Sequence, residues 1–367
     1  MRKYHSNIMH KIITFVSLLW TFVVCDEISL HTSSSPPPLS SPVPVLYYNL
    51  DQSEIYFKHF LQQYNKSYDD PKEYQYRYNV FKDNLNKINS QNRENLLNNK
   101  NNNDSLSTSA QFGVNKFSDK TPDEVLHSNT GFFLNLSQHY TLCENRIVKG
   151  APDIRLPDYY DWRDTNKVTP IKDQGVCGSC WAFVAIGNIE SQYAIRHNKL
   201  IDLSEQQLLD CDEVDLGCNG GLMHLAFQEL LLMGGVETEA DYPYQGSEQM
   251  CTLDNRKIAV KLNSCFKYDI RDENKLKELV YTTGPVAIAV DAMDIINYRR
   301  GILNQCHIYD LNHAVLLIGW GIENNVPYWI IKNSWGEDWG ENGFLRVRRN
   351  VNACGLLNEF GASSVIQ

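Results

Sequence analysis

Long runs of lysine and arginine are missing from this chain, and its charge balance is acidic, with 44 Asp and Glu against 34 Lys and Arg. A nucleic-acid-binding surface needs a basic patch or stripe, so the composition argues against that class of partner. The acidity reads instead as solubility. Also missing, beyond the N-terminus, is any segment apolar enough to cross a bilayer. The one long apolar run comes first: MRKYHSNIMHK, then IITFVSLLWTFVVC, then DEISL. A basic start, an apolar stretch of about 13 residues and a polar exit describe a secretory signal peptide over 1–25, cut near Cys25. No stable membrane insertion is expected after that cut, and the 367 residues allow one large or two moderate domains.

Ten cysteines fit an oxidising compartment, where most should be paired and one left over is either spare or reactive. Setting aside Cys25 with the signal and one reactive thiol leaves eight. The candidate thiol lies in QGVCGSCWAF, residues 174–183. Small residues precede Cys180, which lets a substrate approach closely. The following residues Phe183, Ile186, Ile189 and Tyr193 recur at helical spacing, so Cys180 is expected at a helix N-terminus. The partial positive charge there favours the thiolate, the nucleophilic form.

A thiol with an ordinary pKa of about 8.5 needs a partner to ionise at working pH. Imidazole suits, because it stabilises the thiolate and can later protonate a leaving amine. Among ten histidines His313 stands out, in LNHAVLLIGWG at the head of an apolar β-like run, 133 positions after Cys180. Twenty residues on, in NSWGEDWG, Asn333 can accept a hydrogen bond from the ring and orient it without adding charge, and Trp335 can shield that bond from water. Gln174, six residues before the thiol, can donate its side-chain amide to an oxyanion together with the Cys180 backbone N–H.

Ahead of this region the chain is organised differently. SSSPPPLSSPVPV at 33–45 reads as an extended linker. Residues 51–65 and 71–97 read as helices, and NLLNNKNNNDS after them as a loop insertion. On the second helix Glu73, Arg77, Phe81, Asn84, Ile88 and Asn92 form one stripe. Gly113, Asn115, Phe117 and Asp119 alternate in GVNKFSD. N-x-S sequons occur at Asn65, Asn103 and Asn135, so glycans there would leave with anything cut away before residue 150. After residue 156 the chain turns rich in Gly, Trp, Tyr and Cys. It reads as mostly helical from Cys180 to about 265, then as strands in PVAIAV, HAVLLIGW, PYWIIKN and GFLRVRR. An α+β arrangement of two lobes follows, with a site in the cleft between them.

Residues 156–367 resemble the papain family of cysteine proteases, and both offsets from Cys180 agree with the roughly 130–150 residues seen there. The six-residue stripe resembles the ERFNIN motif of cathepsin L-like pro-regions, and GVNKFSD the motif that follows it. The resemblance implies a papain-like two-lobed fold, one lobe helical and one β-barrel-like, behind a mainly helical inhibitory pro-region at 26–155. It gives Cys180, His313, Asn333 and Gln174 the roles argued above, and the chemistry takes no cofactor and no metal. It implies disulfides Cys177–Cys218, Cys211–Cys251 and Cys306–Cys354, which leaves Cys143 and Cys265 over. In GCNGGLMH it implies that Gly220 and Gly221 meet an extended substrate backbone, while Leu222, Met223 and Ala314 line the pocket for the second residue upstream of the cut. Glu359, five residues after Cys354, falls at that pocket's floor and would admit Arg as well as Leu or Phe.

The tail CGLLNEFGASSVIQ, with RRNVNACG and the SEQQLLDCDEVDLGCNGG block, is more similar to the viral cathepsins of baculoviruses than to cellular enzymes. That resemblance implies a zymogen held in the host endoplasmic reticulum. Later it would act in a lysosome-like or extracellular setting, degrading host tissue protein late in infection. A cellular lysosomal enzyme or an exopeptidase of the same family is the alternative, although no loop insertion blocks one end of the cleft. Protein substrates and its own pro-region are the expected partners, and a monomer the expected state. Acidification is expected to loosen the pro-region, with Asp119 a candidate contact.

Overall fold

The computed structural model describes residues 47–102, 108–132, 141–148 and 155–367. The expected signal peptide, the proline-rich linker and the sequons at Asn103 and Asn135 lie outside these residues; Asn65 is exposed. No helix among the described residues is long and apolar enough to cross a membrane.

Three α-helices precede residue 130 among the described residues: α1 (Ser53–Gln63), α2 (Pro71–Asn102) and α3 (Pro122–Asn129). Phe57 and Phe60 on α1 pack on Phe81 of α2 with ring centroids 5.2 and 5.1 Å apart, closing a small separate core with Leu85. Every residue of the α2 stripe has a physical task. Arg77 Nε donates to Glu73 at 2.6 Å, and Arg77 also holds Glu124 of α3 at 2.9 Å. Asn84 donates to the carbonyls of Ser118 and Lys120, and Asn92 exchanges two hydrogen bonds with the Phe112 backbone. Phe81 and Ile88 are fully buried. The loop expected in the asparagine-rich run starts later than its composition suggests, because α2 continues to Asn102. Asparagine is a weak helix former, but buried Asn95 earns its place by donating to Ser109 Oγ and the Ala110 carbonyl.

After residue 155 come α4 (Cys180–His197), α5 (Gln206–Cys211), α6 (Met223–Met233) and α7 (Glu273–Thr283). The described residues form eleven strands. The first three are β1 (Gln111–Phe112), β2 (Glu144–Ile147) and β3 (Tyr160–Asp161). Next come β4 (Leu262–Asp269), β5 (Val286–Val290), β6 (Tyr298–Arg300) and β7 (Ile302–Leu303). The long strands β8 (His313–Glu323), β9 (Val326–Lys332), β10 (Phe344–Arg348) and β11 (Gly361–Ile366) finish the chain. The large sheet runs β2-β4-β11-β5-β8-β9-β10-β7, with β3 also on β8. This path is open at both ends, so the barrel-like closure expected for the strand-rich part is not formed among the described residues. Its centre, β8, is buried on both faces from His313 to Gly321, as its unbroken apolar run requires. Helix α4 packs on this sheet, and Asn188 ties it there by donating to the Pro285 carbonyl and accepting from Ser364 N.

Residues ahead of 155 contribute two strands. β1 pairs antiparallel with β6, and β2 extends the large sheet by pairing parallel with β4. Cys177–Cys218, Cys211–Cys251 and Cys306–Cys354 are bonded. Cys143 and Cys265, left over in the sequence reading, are bonded to each other. Family pairing could not supply this bond, because it joins the two sides of the expected processing site. Spatial adjacency through the β2–β4 ladder is what brings the two cysteines together. Among the described residues Cys180 is the one free cysteine.

Candidate active site

Cys180 is the first residue of α4, so its side chain stands where that helix leaves its N–H groups unpaired. The Ala314 N–H points at its Sγ from 3.3 Å. Ala314 follows His313 at the start of β8, so this contact sets the imidazole-bearing residue beside the thiol. His313 Nε2 meets Asn333 Oδ1 at 2.7 Å, leaving Nδ1 without a hydrogen-bond partner among the described residues. Trp335 stacks on the imidazole at 4.7 Å between centroids and closes that side to water. It is a cover for the ring, not an open wall of a pocket.

Gln174 is buried, and two neighbours fix its amide. Oε1 accepts from Ser334 Oγ at 2.7 Å and Nε2 donates to the Cys177 carbonyl at 2.7 Å, with a second N–H left over. The Gln174 backbone N–H also reaches the Ser334 carbonyl, and Gly336 N reaches Lys172 O, stitching the loop before α4 to the loop after β9. Sequence reasoning missed Ser334, although its place beside Asn333 was a usable signal. It also missed Tyr244, whose hydroxyl donates to the Gln174 carbonyl and lies 2.8 Å from Ser179 Oγ.

Residues 130–132 occupy the cleft. Gly221 N donates to the Gly131 carbonyl at 2.8 Å, while Gly131 N and Phe132 N both reach the Asn312 carbonyl. A side chain at position 131 would meet the Gly178 carbonyl oxygen at 1.8 Å, and one at Gly220 would meet the Gly131 carbonyl. Only a bare backbone fits between these loops. The extended stretch through Gly220 and Gly221 thus pairs with a chain segment, in the way the sequence reading expected for substrate. Phe132 is buried in the apolar cluster that contains Leu222, Met223, Ala314 and Phe360, 6.3 Å from the Phe360 ring. On the other side Trp335 Nε1 donates to Asn129 O at 2.8 Å and Phe117 packs edge-on to Trp335.

Burial decides the ionisation here. It pushes the Cys180 thiol up to about 12, against the pull of backbone N–H groups from Ala314 and Gly131. It pushes the His313 imidazole down to about 4, against the Asn333 bond. With the cleft covered, both groups are held neutral.

Glu359 does not share the cluster around Phe132. It lines a groove with Arg146, Lys267 and Asp269, and it is Phe360 that faces Phe132. Burial raises the Glu359 carboxyl and the charge of Lys267 lowers it. His224 packs edge-on to Phe360 at 4.6 Å with both ring nitrogens unpartnered among the described residues, and burial drives its pKa down to about 3. No sequence signal marked it.

A family model for papain family cysteine proteases matches residues 156–363, and one for the cathepsin propeptide inhibitor domain matches 57–125. The chain belongs to the papain family of cysteine proteases. It is a cysteine peptidase made with its propeptide. Its relatives include the viral cathepsin of Spodoptera litura multicapsid nucleopolyhedrovirus, 53% identical over 88% of this chain and 94% of that protein. The viral cathepsin of Lymantria dispar multicapsid nuclear polyhedrosis virus is 49% identical over 87% of each. Among solved structures, digestive procathepsin L2 from Tenebrio molitor larval midgut superposes with a TM-score of 0.76 at 34% identity, covering 85% of this chain and 99% of that one. The propeptide domain is an intramolecular inhibitor, and residues 130–132, a few positions after its matched end, lie in the cleft.

Proposed function

We propose that this chain is a cysteine endopeptidase that enters the secretory pathway as a zymogen and, as a relative of viral cathepsins, degrades host tissue protein late in infection. The observation that carries the chemistry is the juncture of Cys180 at a helix N-terminus, the Ala314 N–H on its sulfur, and His313 oriented by Asn333. Removing residues 130–132 returns water to the pair and relieves both desolvation penalties, so the thiol pKa falls, the imidazole pKa rises and a thiolate–imidazolium pair forms. The thiolate attacks the scissile carbonyl. Gln174 Nε2 and the Cys180 N–H receive the developing oxyanion, and His313 gives its proton to the departing amine. Water, deprotonated by the same imidazole, then releases the acyl group. Labelling by an epoxide-type thiol-protease inhibitor tests the assignment: Cys180 should take the label, and a label on any other residue would sink it.

Specificity at the second upstream subsite follows from Phe132, which sits where Leu222, Met223 and Ala314 are expected to receive a substrate side chain. We expect Phe or Leu there to be preferred over Arg, because the side chains around Phe132 are apolar and Glu359 lies outside that cluster. Paired substrates with Phe-Arg and Arg-Arg before the cut measure this. Because Glu359 faces the groove of Arg146, Lys267 and Asp269, Glu359→Ala should leave the ratio unchanged; a fall in the relative rate on Arg-Arg would place Glu359 in the subsite after all.

Activation is expected to follow acidification. Although burial opposes it, the Thr121 cap and the Arg77 guanidinium hold the Glu124 carboxyl below its usual range. A depressed carboxylate contributes stability above its unfolded pKa of about 4.3 and loses it as the pH falls through the lower folded value. The α2–α3 contact therefore weakens below about pH 4.3. Glu124→Gln, uncharged at every pH, is expected to speed processing at pH 6 to 7.5 and to match wild type only once the pH has fallen below the depressed folded pKa of Glu124. Equal rates for both proteins at neutral pH would contradict this. Asp119, buried and held by Lys66 at 2.5 Å and by the Tyr68 hydroxyl, anchors the segment that leads into α3.

A further inference from the structure

The Cys143–Cys265 bond crosses the expected boundary between pro-region and protease domain. Cys143 immediately precedes β2, and Cys265 lies in β4 on the side of the expected cut that becomes mature enzyme. Both sulfurs are buried, with the two residues 3% and 1% exposed. Without the bond, β2 is thinly held. All four of its residues are exposed, and among the described residues its attachments are few: one short parallel ladder continued by Val148 N on Asp269 O at 3.3 Å, the packing of half-buried Val148, Leu142 N on Gln228 Oε1 at 2.9 Å, and Arg146 over the Phe266 ring. An edge strand of four exposed residues has little apolar burial to keep it in place once its chain is cut.

We propose that cutting the backbone ahead of Leu156 does not release the pro-region, because Cys143–Cys265 keeps it covalently attached. This rests on the reading of residues 26–155 as a removable pro-region. Gly131 and Phe132, the residues in the cleft, lie 12 and 11 positions before Cys143. A segment tethered that closely rebinds at an effective concentration on the order of millimolar, so a single cut leaves the cleft covered. Freeing it takes a second cut between Phe132 and Cys143, after which a short β2-bearing chain stays with the enzyme. Alternatively a thiol reductant frees it by exchange: two reductant thiols are oxidised to one disulfide, and Cys143 and Cys265 each gain a proton. Because the bond is buried, exchange has to wait for the β2 edge to open, and the second cut is the faster route.

The test uses the full precursor and its Cys143→Ser variant, processed at acidic pH without added thiol, then alkylated. Both are separated with and without reduction, and new N-termini are sequenced. In wild type, chains beginning near Leu156 should carry a Cys143-containing fragment that departs only on reduction; in Cys143→Ser, and equally in Cys265→Ser, it should depart unreduced. Wild-type fragments that separate without reduction overturn the proposal, as does a mature N-terminus found only upstream of Cys143. Peptide mapping of the uncut wild-type precursor needs no variant: a cross-linked Cys143–Cys265 peptide supports the tether, and alkylation of both cysteines overturns it. A precursor that is never processed counts against the zymogen reading, while the same map still decides the tether.

Discussion

Replacing Cys180 by alanine is expected to leave the precursor uncut at acidic pH and the processed domain with turnover reduced on the order of 10⁴-fold or more. The size follows from the lack of any substitute. Among the described residues the other eight cysteines are all in disulfides, so no second thiol can take over. The fold should survive, because the lost sulfur accepts only weak N–H contacts at the end of a helix whose remaining turns are buried against the sheet. A melting temperature near that of the parent therefore separates lost chemistry from lost structure. Activity above about 1% in a folded Cys180→Ala protein would mean that another group supplies the nucleophile.

Replacing Gly131 by valine is expected to have the second largest effect, and in the opposite sense. The Gly178 carbonyl oxygen stands 1.8 Å from where a Cβ would be, and both partners are backbone, so neither can swing aside. Relieving the clash means lifting residues 130–132, which breaks the Gly131–Gly221 and Phe132–Asn312 hydrogen bonds and draws Phe132 out of its apolar cluster. Losing these contacts should cost several kilocalories, about 1 kcal/mol for each hydrogen bond and about 2 for the phenylalanine. The uncut variant should then hydrolyse small peptides at least about tenfold faster than the uncut wild type, since each 1.4 kcal/mol is tenfold in occupancy of the cleft. Both proteins carry the Leu156 junction and the stretch between Phe132 and Cys143 blocked by substitution, so that neither is processed at either place. An uncut Gly131→Val precursor as inert as wild type would show that the segment in the cleft is not what holds activity down.

Much of this was readable before any coordinates. Glu73, Arg77, Asn84 and Asn92 announce themselves because each polar side chain on an amphipathic stripe needs a partner, and the structure supplies one for each. His313 and Asn333 are ordinary features taken singly, an imidazole at the head of an apolar strand and an amide in a turn; their spacing from Cys180 is what makes them legible. What the sequence hid has physical causes. Cys143 and Cys265 meet only because a pro-region strand joins the edge of the protease sheet, a contact that local pattern does not encode. Gly131 looks like one glycine among 21 until Gly178 and Gly220 are seen on either side of it. The burial of His224 is set by Phe360, 136 positions away, and the asparagine-rich end of α2 is helical because of a tertiary contact at Asn95 that overrides its propensity.

If the pro-segment keeps Cys180 and His313 neutral, its removal should turn them into an ion pair. Alkylation of Cys180 by iodoacetamide, followed from pH 4 to pH 9 on the precursor and on the processed enzyme, measures it directly. Processed enzyme should react on a plateau that begins well below the ordinary thiol pKa of about 8.5, with a lower limb set by the thiolate and an upper limb set by the imidazolium. The precursor should react at least about a thousandfold more slowly through that range, its thiol being pushed up to about 12. Equal rates in the two forms, or a processed enzyme whose reactivity rises only near pH 8.5, would contradict the account.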